Sequence, residues 1–233
     1  MLQLIILKNT PILEQLQLEE SLLRTDDRSF CLINIGSPVA IVMGISGDPE
    51  LLVDLERMKK DPVPLIRRFS GGGTVVVDEN TLFVTFIMNK IDLDVVPFPE
   101  PILRWSTELY QSAWQIPFFH LTENDYAIEN KKCGGNAQYL KKDRWVHHTS
   151  FLWDFKQENM NRLLLPQKRP TYRGNRTHTD FLCKLKNYSP DLSILISSLK
   201  KELVKRFYIT EFNLAAWVAQ PHRQATHLLT LTT

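Results

Sequence analysis

Three short stretches hold the residues whose types and spacing could do chemistry: RRFSGGGTVVVD (67–78), ENDYAIENKKCGGNAQ (123–138) and DRWVHHTSFLWDF (143–155). In the first, Arg67, Arg68 and Ser70 precede Gly71, Gly72 and Gly73, a third of the nine glycines in the chain. Consecutive glycines leave backbone N–H groups uncovered; these can point at an anion or a carbonyl oxygen while Arg68 adds a permanently charged fork. A carboxylate or phosphate suits such a loop, and a tight structural turn is the alternative. The stretch is neither GxxxxGK[ST] nor a GxGxxG run opening a helix, because a strand-like VVV follows. In the second, Lys132 beside Gly134 and Gly135 repeats the pattern. A lysine there could hold a carboxylate or phosphate and stabilise the oxyanion of an acyl transfer, or belong to a solvated lysine pair at a turn. Asn124 and Asp125 add an amide and a carboxylate, suited to orienting a lysine, binding Mg2+ or capping a turn. In the third, His147 and His148 are adjacent, so in a strand they face opposite ways and do not form a zinc site together.

Several elements must hold these stretches in place. LQLIILK reads as a strand, and Thr10-Pro11 opens a helix to about Leu23 with Ile12, Leu13, Leu16 and Leu23 on its apolar side and Glu14, Glu19 and Glu20 elsewhere. SFCLINI and PVAIVMGI read as a hairpin-like strand pair around Gly36, Ser37 and Pro38, and 50–60 as one helix. PLIRRF, TVVVD and TLFVTFIM surround the glycine loop, with Asp78 and Asn80 in a turn. A helix over 101–114 precedes short strands, of which NAQYLKK and WVHHTSFLWDF pair as a hairpin about Asp143-Arg144. Residues 166–180 read as a polar loop, DLSILISSLKKELVKRF as an amphipathic helix, and the last two dozen residues carry no clear pattern. The mixture predicts an α+β fold with helices packed on a central mixed, largely antiparallel sheet.

Composition limits the function classes. The 233 residues are 43% hydrophobic, enough for a substantial core, and 28 Lys and Arg against 26 Asp and Glu argue against a general nucleic-acid binder. Three scattered cysteines, Cys31, Cys133 and Cys183, indicate neither a disulfide framework nor a CxxC metal site. The start of the chain lacks a basic leader and no apolar run is long enough for a membrane span, so the expectation is a cytoplasmic protein in a reducing compartment, with no nucleic-acid or membrane partner.

Taken together, RRFSGGGTVVVD, ENDYAI…KKCGGNAQ and HHTSFLWDF resemble, in order and spacing over roughly residues 10–165, the lipoate-protein ligase A family of the biotin/lipoate ligase superfamily. The resemblance implies one catalytic domain over 1–233, without a full accessory C-terminal domain, which the chain would do without or receive as a separate subunit. It implies that ATP, with Mg2+, activates lipoate to lipoyl-AMP and that a carrier lysine then attacks the mixed anhydride. Arg68, Ser70, Gly71, Gly72 and Gly73 would border the acyl tunnel, with Gly135, Asn136, Ala137 and His148 lining it further. Lys132 would contact the acyl carbonyl and phosphate as the catalytic group. Thr74, Asp78, Asn124, Asp125 and Thr149 would join Lys132 around the nucleotide, with Asp125 at the metal. Val75, Val77 and Phe83 would contribute to the tunnel. The partners implied are lipoyl domains of 2-oxoacid dehydrogenase E2 subunits or the glycine-cleavage H protein, towards which Lys168, Arg169, Arg173 and Arg176 would steer. The sequence departs from the family where a cation usually precedes Asn-Asp, since Glu123 stands there, and where Val77 replaces a frequent His. Two other readings stay open. One is an octanoyl or lipoyl transferase working through a thioester on Cys133 or Cys183, and the other a noncatalytic module that holds carrier domains.

Overall fold

The computed structural model describes residues 1–230. In chain order its elements are β1 (Leu2–Lys8), α1 (Ile12–Thr25), β2 (Ser29–Ile35), β3 (Ala40–Met43), α2 (Pro49–Leu52), α3 (Leu55–Lys60), β4 (Leu65–Arg67), β5 (Val75–Val77) and β6 (Thr81–Asn89). They continue with α4 (Pro99–Trp114), β7 (Phe119–Thr122), β8 (Asp125–Ile128), β9 (Lys131–Leu140), β10 (Arg144–Leu152), α5 (Gln157–Met160), α6 (His178–Phe181), α7 (Leu192–Arg206), β11 (Ile209–Glu211) and β12 (His227–Leu228). An eight-stranded sheet runs β11-β1-β2-β6-β10-β9-β8-β7, and a four-stranded sheet runs β12-β4-β3-β5. In the large sheet β1 is parallel to β11 and β2 while every other pair is antiparallel, which is the mixed, largely antiparallel α+β arrangement the sequence predicts.

One face of the large sheet carries the main core. Trp105, Tyr110 and Trp114 of α4 meet Phe86, Tyr126 and Phe151 edge to face, at centroid distances of 4.9, 5.2 and 4.7 Å. Each such ring contributes roughly 1.5–3 kcal/mol by burial, with a further increment of about 1 kcal/mol per pair. The other face carries α1 and the small sheet, where Ile12 and Leu16 pack with Val42, Val77 and Phe83.

Three local expectations change. β2 and β3 do not form a hairpin: Gly36, at φ +79°, and Ser37 turn the chain out of the large sheet, and β3 enters the small one beside β4 and β5. The helix expected over 50–60 is broken in two because Asp48 and Asp54 each cap a start, accepting from the N–H groups of Glu50 and Arg57, while Val53 bridges to Leu163. Glu19 and Glu20 are fully buried rather than on a polar face. Glu20 accepts from the N–H groups of Ala225 and Thr226, both at 2.9 Å, and Phe69 N–H donates to Thr226 Oγ1 at 3.2 Å. Residues 225–228 thus brace α1 and the strand that leads into the glycine loop, with β12 pairing β4 at Arg67 and Ile66.

Candidate functional site

The loop between β4 and β5 is built around Arg68. This side chain is 4% exposed and turns inward: Nη2 donates to the carbonyls of Gly71 and Gly73, each at 2.9 Å. Burial pushes its pKa down to about 10, opposed by the charge of Glu19, so it stays cationic at neutral pH. A buried cation needs bonded partners, and here the loop's own carbonyls supply them. Arg68 is therefore an internal brace, where the sequence suggested a fork facing a ligand. What the loop presents is backbone, since among the described residues nothing accepts from the N–H groups of Gly71, Gly72 and Gly73. Gly72 sits at φ +109°, and a Cβ on it would lie 2.7 Å from Arg68 Nη2 and 3.1 Å from the carbonyl oxygen of Asn136. The loop thus bears down on β9. Ser70, also buried, fixes its near end by accepting from Ile45 N–H at 3.0 Å.

The second stretch is not a turn followed by a strand, because β9 already begins at Lys131 and contains both glycines. Lys132 pairs with Ala127 and Gly134 with Tyr126, so Cys133 is one residue too many, a β-bulge. Bulges re-aim side chains. Strict alternation would put residues 132 and 135 on opposite faces, whereas the bulge brings Lys132, Gly135 and Asp125 to the same one. Lys132 Nζ lies 2.8 Å from Asp125 Oδ1 and rests over Gly135, where a Cβ would come within 3.0 Å of the amine. On the other face a Cβ at Gly134 would meet the Phe151 ring at 2.7 Å. One glycine makes room for the amine and the other for the core. Asp125 Oδ2 accepts from the Tyr172 hydroxyl at 3.0 Å, and the Tyr172 N–H donates to Glu123 Oε1 at 3.2 Å. Burial, with the Asp125 charge next, holds the Tyr172 phenol protonated. Lys132 is thus a paired, half-buried amine rather than half of a solvated doublet.

Strand parity sorts the other expected residues. Ala137 and His148 are paired across β9 and β10 on the Lys132 face. His148 Nδ1 is 3.0 Å from both Glu19 Oε1 and Thr85 Oγ1, and Glu19 Oε1 also accepts from Thr85 and Gln15 at 2.7 and 2.8 Å. Asn136 and Thr149 face α4 instead. Thr149 Oγ1 donates to Asn136 Oδ1 at 2.7 Å, and Asn136 Nδ2 donates to the Asn124 carbonyl at 3.0 Å, which supports the Asn124-Asp125 turn from behind. Thr149 is therefore not brought to the Lys132 face. Nor does Asp78 join the group: its carboxylate accepts from Asn80 N–H and Asn159 Nδ2, both at 2.9 Å, closing the β5–β6 turn. Thr74 follows the glycine loop, and its buried hydroxyl has no partner among the described residues. In the basic segment Arg173 is buried, and both it and Arg176 lie over the Phe181 ring, at 4.8 and 5.2 Å, so of the four residues expected to steer a partner two are engaged within the fold.

Sequence reasoning missed Glu19 and Tyr172, and also Gly44, where an added Cβ would stand 2.3 Å from the carbonyl oxygen of Gly72. Glu19 had a signal: Ile12, Leu16, Glu19 and Leu23 follow the spacing of one helix face. Tyr172 had none, since long-range loop packing puts it there.

His147 completes the α4-face network, with Nε2 3.0 Å from Tyr126 Oη and Nδ1 3.0 Å from Gln138 Nε2. Burial, aided by His148, lowers its pKa from 6.5 to about 3. Between those values the unfolded chain binds a proton that the folded one refuses. Stability therefore falls as pH drops through this window, by up to about 3 kcal/mol near pH 4. His147→Gln flattens that slope, as denaturant midpoints across the window would read; a slope unchanged in the variant would assign the titration to other groups.

Among solved structures the chain superposes on a lipoate-protein ligase A bound with ATP, with a TM-score of 0.74 and 18% identity over 90% of this chain and 87% of that one. It also superposes on a structure from a Thermoplasma acidophilum lipoylation system, described as a bi-partite lipoate protein ligase and its E2 lipoyl domain, with a TM-score of 0.73 and 19% identity over 90% and 85% of the two chains. These define the fold as that of lipoate-protein ligases. The model of the lipoyl protein ligase A/B catalytic domain matches residues 11–208, and the chain belongs to that family. Among curated relatives, the "Inactive lipoate–protein ligase 2" of Plasmodium falciparum is 29% identical over 75% of this chain and 61% of its own length. The "Probable lipoate-protein ligase A" of Mycoplasma pneumoniae is 31% identical over 73% of this chain and 50% of its own. The chain thus spans between half and two thirds of these relatives.

Proposed function

We propose that this chain is the catalytic domain of a lipoate-protein ligase, converting lipoate and ATP to lipoyl-AMP and passing the lipoyl group to a lysine of an acceptor carrier domain. The observation that carries the reading is the convergence on one sheet face of the unpaired N–H groups of the glycine loop, the backbone of Asn136–Ala137 and the amine of Lys132 over Gly135. Fixed backbone donors and a positioned ammonium stabilise a carboxylate, an α-phosphate and the oxyanion formed when an amine attacks their anhydride. The apolar cluster of Val75, Val77 and Phe83 beneath the loop suits an aliphatic chain. Gly71, Gly72, Gly73, Gly135, Ala137 and His148 are assigned to the acyl side, and Asn124, Asp125 and Lys132 to the nucleotide side.

Among the described residues no three metal-ligating side chains converge. Mg2+ would accordingly arrive on the phosphates of ATP with Asp125 as its one protein carboxylate, the usual way this ion is held. Carrier domains of the lipoyl type, in 2-oxoacid dehydrogenases or glycine cleavage, are the proposed acceptors, with a separate accessory subunit as a further proposed partner and a cytoplasmic location. Burial disfavours a Cys133 thioester, because it raises that thiol's pKa and the bulge leaves its side chain in the core rather than beside Lys132.

The test is to incubate the protein with lipoate and a lipoyl-domain acceptor, with and without ATP, and weigh the acceptor. An ATP-dependent lipoyl mass is expected. A mass gained from an octanoyl carrier protein without ATP would overturn the ligase in favour of a transferase, and an unmodified acceptor that nonetheless binds would favour the noncatalytic module.

A further inference from the structure

Cys183 lies 50 positions after Cys133 in the sequence and next to it in space. Lys132 and Leu182 form a parallel β-bridge, and Cys183 N–H donates to the Lys132 carbonyl at 2.8 Å. The next residues along both chains are Cys133 and Cys183. In a parallel pairing, residues in register project to the same face, so the bridge sets the two thiols side by side. Each thiol donates to a nearby carbonyl, Cys133 Sγ to Tyr126 and Cys183 Sγ to Lys131, both at 3.4 Å; burial raises Cys133 while its proximity lowers Cys183, which leaves Cys183 the thiol with the larger thiolate fraction. Cys183 also borders a cavity of about 380 Å³ that opens to solvent, with Lys131 and Lys184 among its lining and Glu129 as the opposing charge. The cavity is large enough for a small thiol reagent; Lys184 is already paired with Asp154 at 2.6 Å, so Lys131 is the lining cation left to favour one that carries carboxylates. Cys31, the remaining cysteine, is fully buried on β2, with β6 and β10 between it and β9.

We propose that Cys133 and Cys183 are a redox-active dithiol, oxidised by a low-molecular-weight disulfide that enters the cavity over Cys183. The Cys183 thiolate attacks one sulfur of the disulfide, forming a mixed disulfide and releasing one thiolate. Cys133 then attacks the Cys183 sulfur, forming the intramolecular bond and expelling the second thiolate. The two protons of the protein thiols leave with the two small thiols, and the protein loses two electrons to the reagent. The bond fastens the segment that follows Tyr172 to the strand that carries Lys132. On the ligase reading proposed above, it therefore locks the Tyr172 hydroxyl over Asp125 and slows nucleotide entry.

The experiment exposes the folded, reduced protein to glutathione disulfide and follows intact mass and nonreducing peptide maps. The expected result is loss of the mass of two hydrogens, one peptide pair linking Cys133 to Cys183, and a melting temperature raised by about 5 °C or more, since the bond closes a long loop. Cys133→Ser should instead accumulate one glutathionyl adduct, on Cys183. Cys183→Ser should neither cross-link nor carry an adduct on Cys133. Full-length folded protein that retains three free thiols, or a link that forms only after denaturation or involves Cys31, would overturn the proposal. These readouts need no ligase activity, so absence of nucleotide binding in both redox states would count against the ligase reading alone.

Discussion

On the proposed ligase reading, Lys132→Ala is expected to lower lipoyl transfer by about a hundredfold to a thousandfold, the usual effect of removing one preorganised donor to a developing oxyanion. The protein should remain folded. Asp125 keeps the Tyr172 hydroxyl as a partner, and the Lys132–Asp125 pair is in part open to water, with side-chain exposures of 20% and 10%, so the stability loss should be about 1–2 kcal/mol. Lys132→Arg separates charge from placement: Gly135 leaves room for an amine at 3.0 Å from its virtual Cβ, and the wider guanidinium does not fit the same seat. Single-turnover formation of lipoyl-AMP in wild type and both variants checks this. Full activity in Lys132→Ala would remove the amine from the chemistry, and full activity in Lys132→Arg would show that any nearby cation suffices.

Gly44→Ala has the second large effect, although Gly44 lies outside the glycine loop. An added Cβ would stand 2.3 Å from the carbonyl oxygen of Gly72, a contact with backbone that no rotamer change relieves. The loop must move off β3, taking with it the two carbonyls that hold Arg68. Overpacking of this kind costs about 1–3 kcal/mol, and because the loop N–H groups shift as well, lipoate affinity should fall more than tenfold. Gly71→Ala is the matched control, as nothing lies within 4 Å of its virtual Cβ, and its urea midpoint should stay near wild type. Equal midpoints and equal lipoate affinity in Gly44→Ala and wild type would show that the loop is not seated against β3.

The sequence made the elements legible wherever local pattern decided them. The crossover helix after β1, the β9–β10 hairpin and α7 all follow from apolar spacing with turn or cap residues at their ends. The two-sheet division was not legible, because the turn at Gly36 looks the same whether β3 folds back on β2 or leaves for another sheet. At the site, residue types pointed to Lys132, Asp125 and the glycines. Which face each side chain takes depends on the bulge at Cys133, and a bulge shows only when the partner strand's register is known. Thr149 and Asn136 were thus expected on the Lys132 face, and the structure turns them to the opposite one, where Asn136 bonds the Asn124 carbonyl. Arg68 looked like a free cation for a comparable reason: local sequence does not say which carbonyls a folded loop will leave to be bonded.

The brace at residues 225–228 also fixes an order of events during synthesis. β4, which feeds the glycine loop, has β3 on one side and, among the described residues, His227, Leu228 and Leu229 on the other. The N–H of Phe69 waits for a hydroxyl 157 residues further along, and β1 pairs on its outer side with β11 at Ile209–Glu211. A ribosome therefore releases the β7–β10 hairpins with their local partners already made, whereas α4 waits for α7 and the entrance to the glycine loop stays unclosed until residues 225–228 have emerged. Sequence-distant contacts form slowly because they close large loops. The part of the chain that would bind substrate thus acquires its native edge after the strands that carry its side chains, and a nascent polypeptide is without a finished site until residues 225–228 have left the exit tunnel.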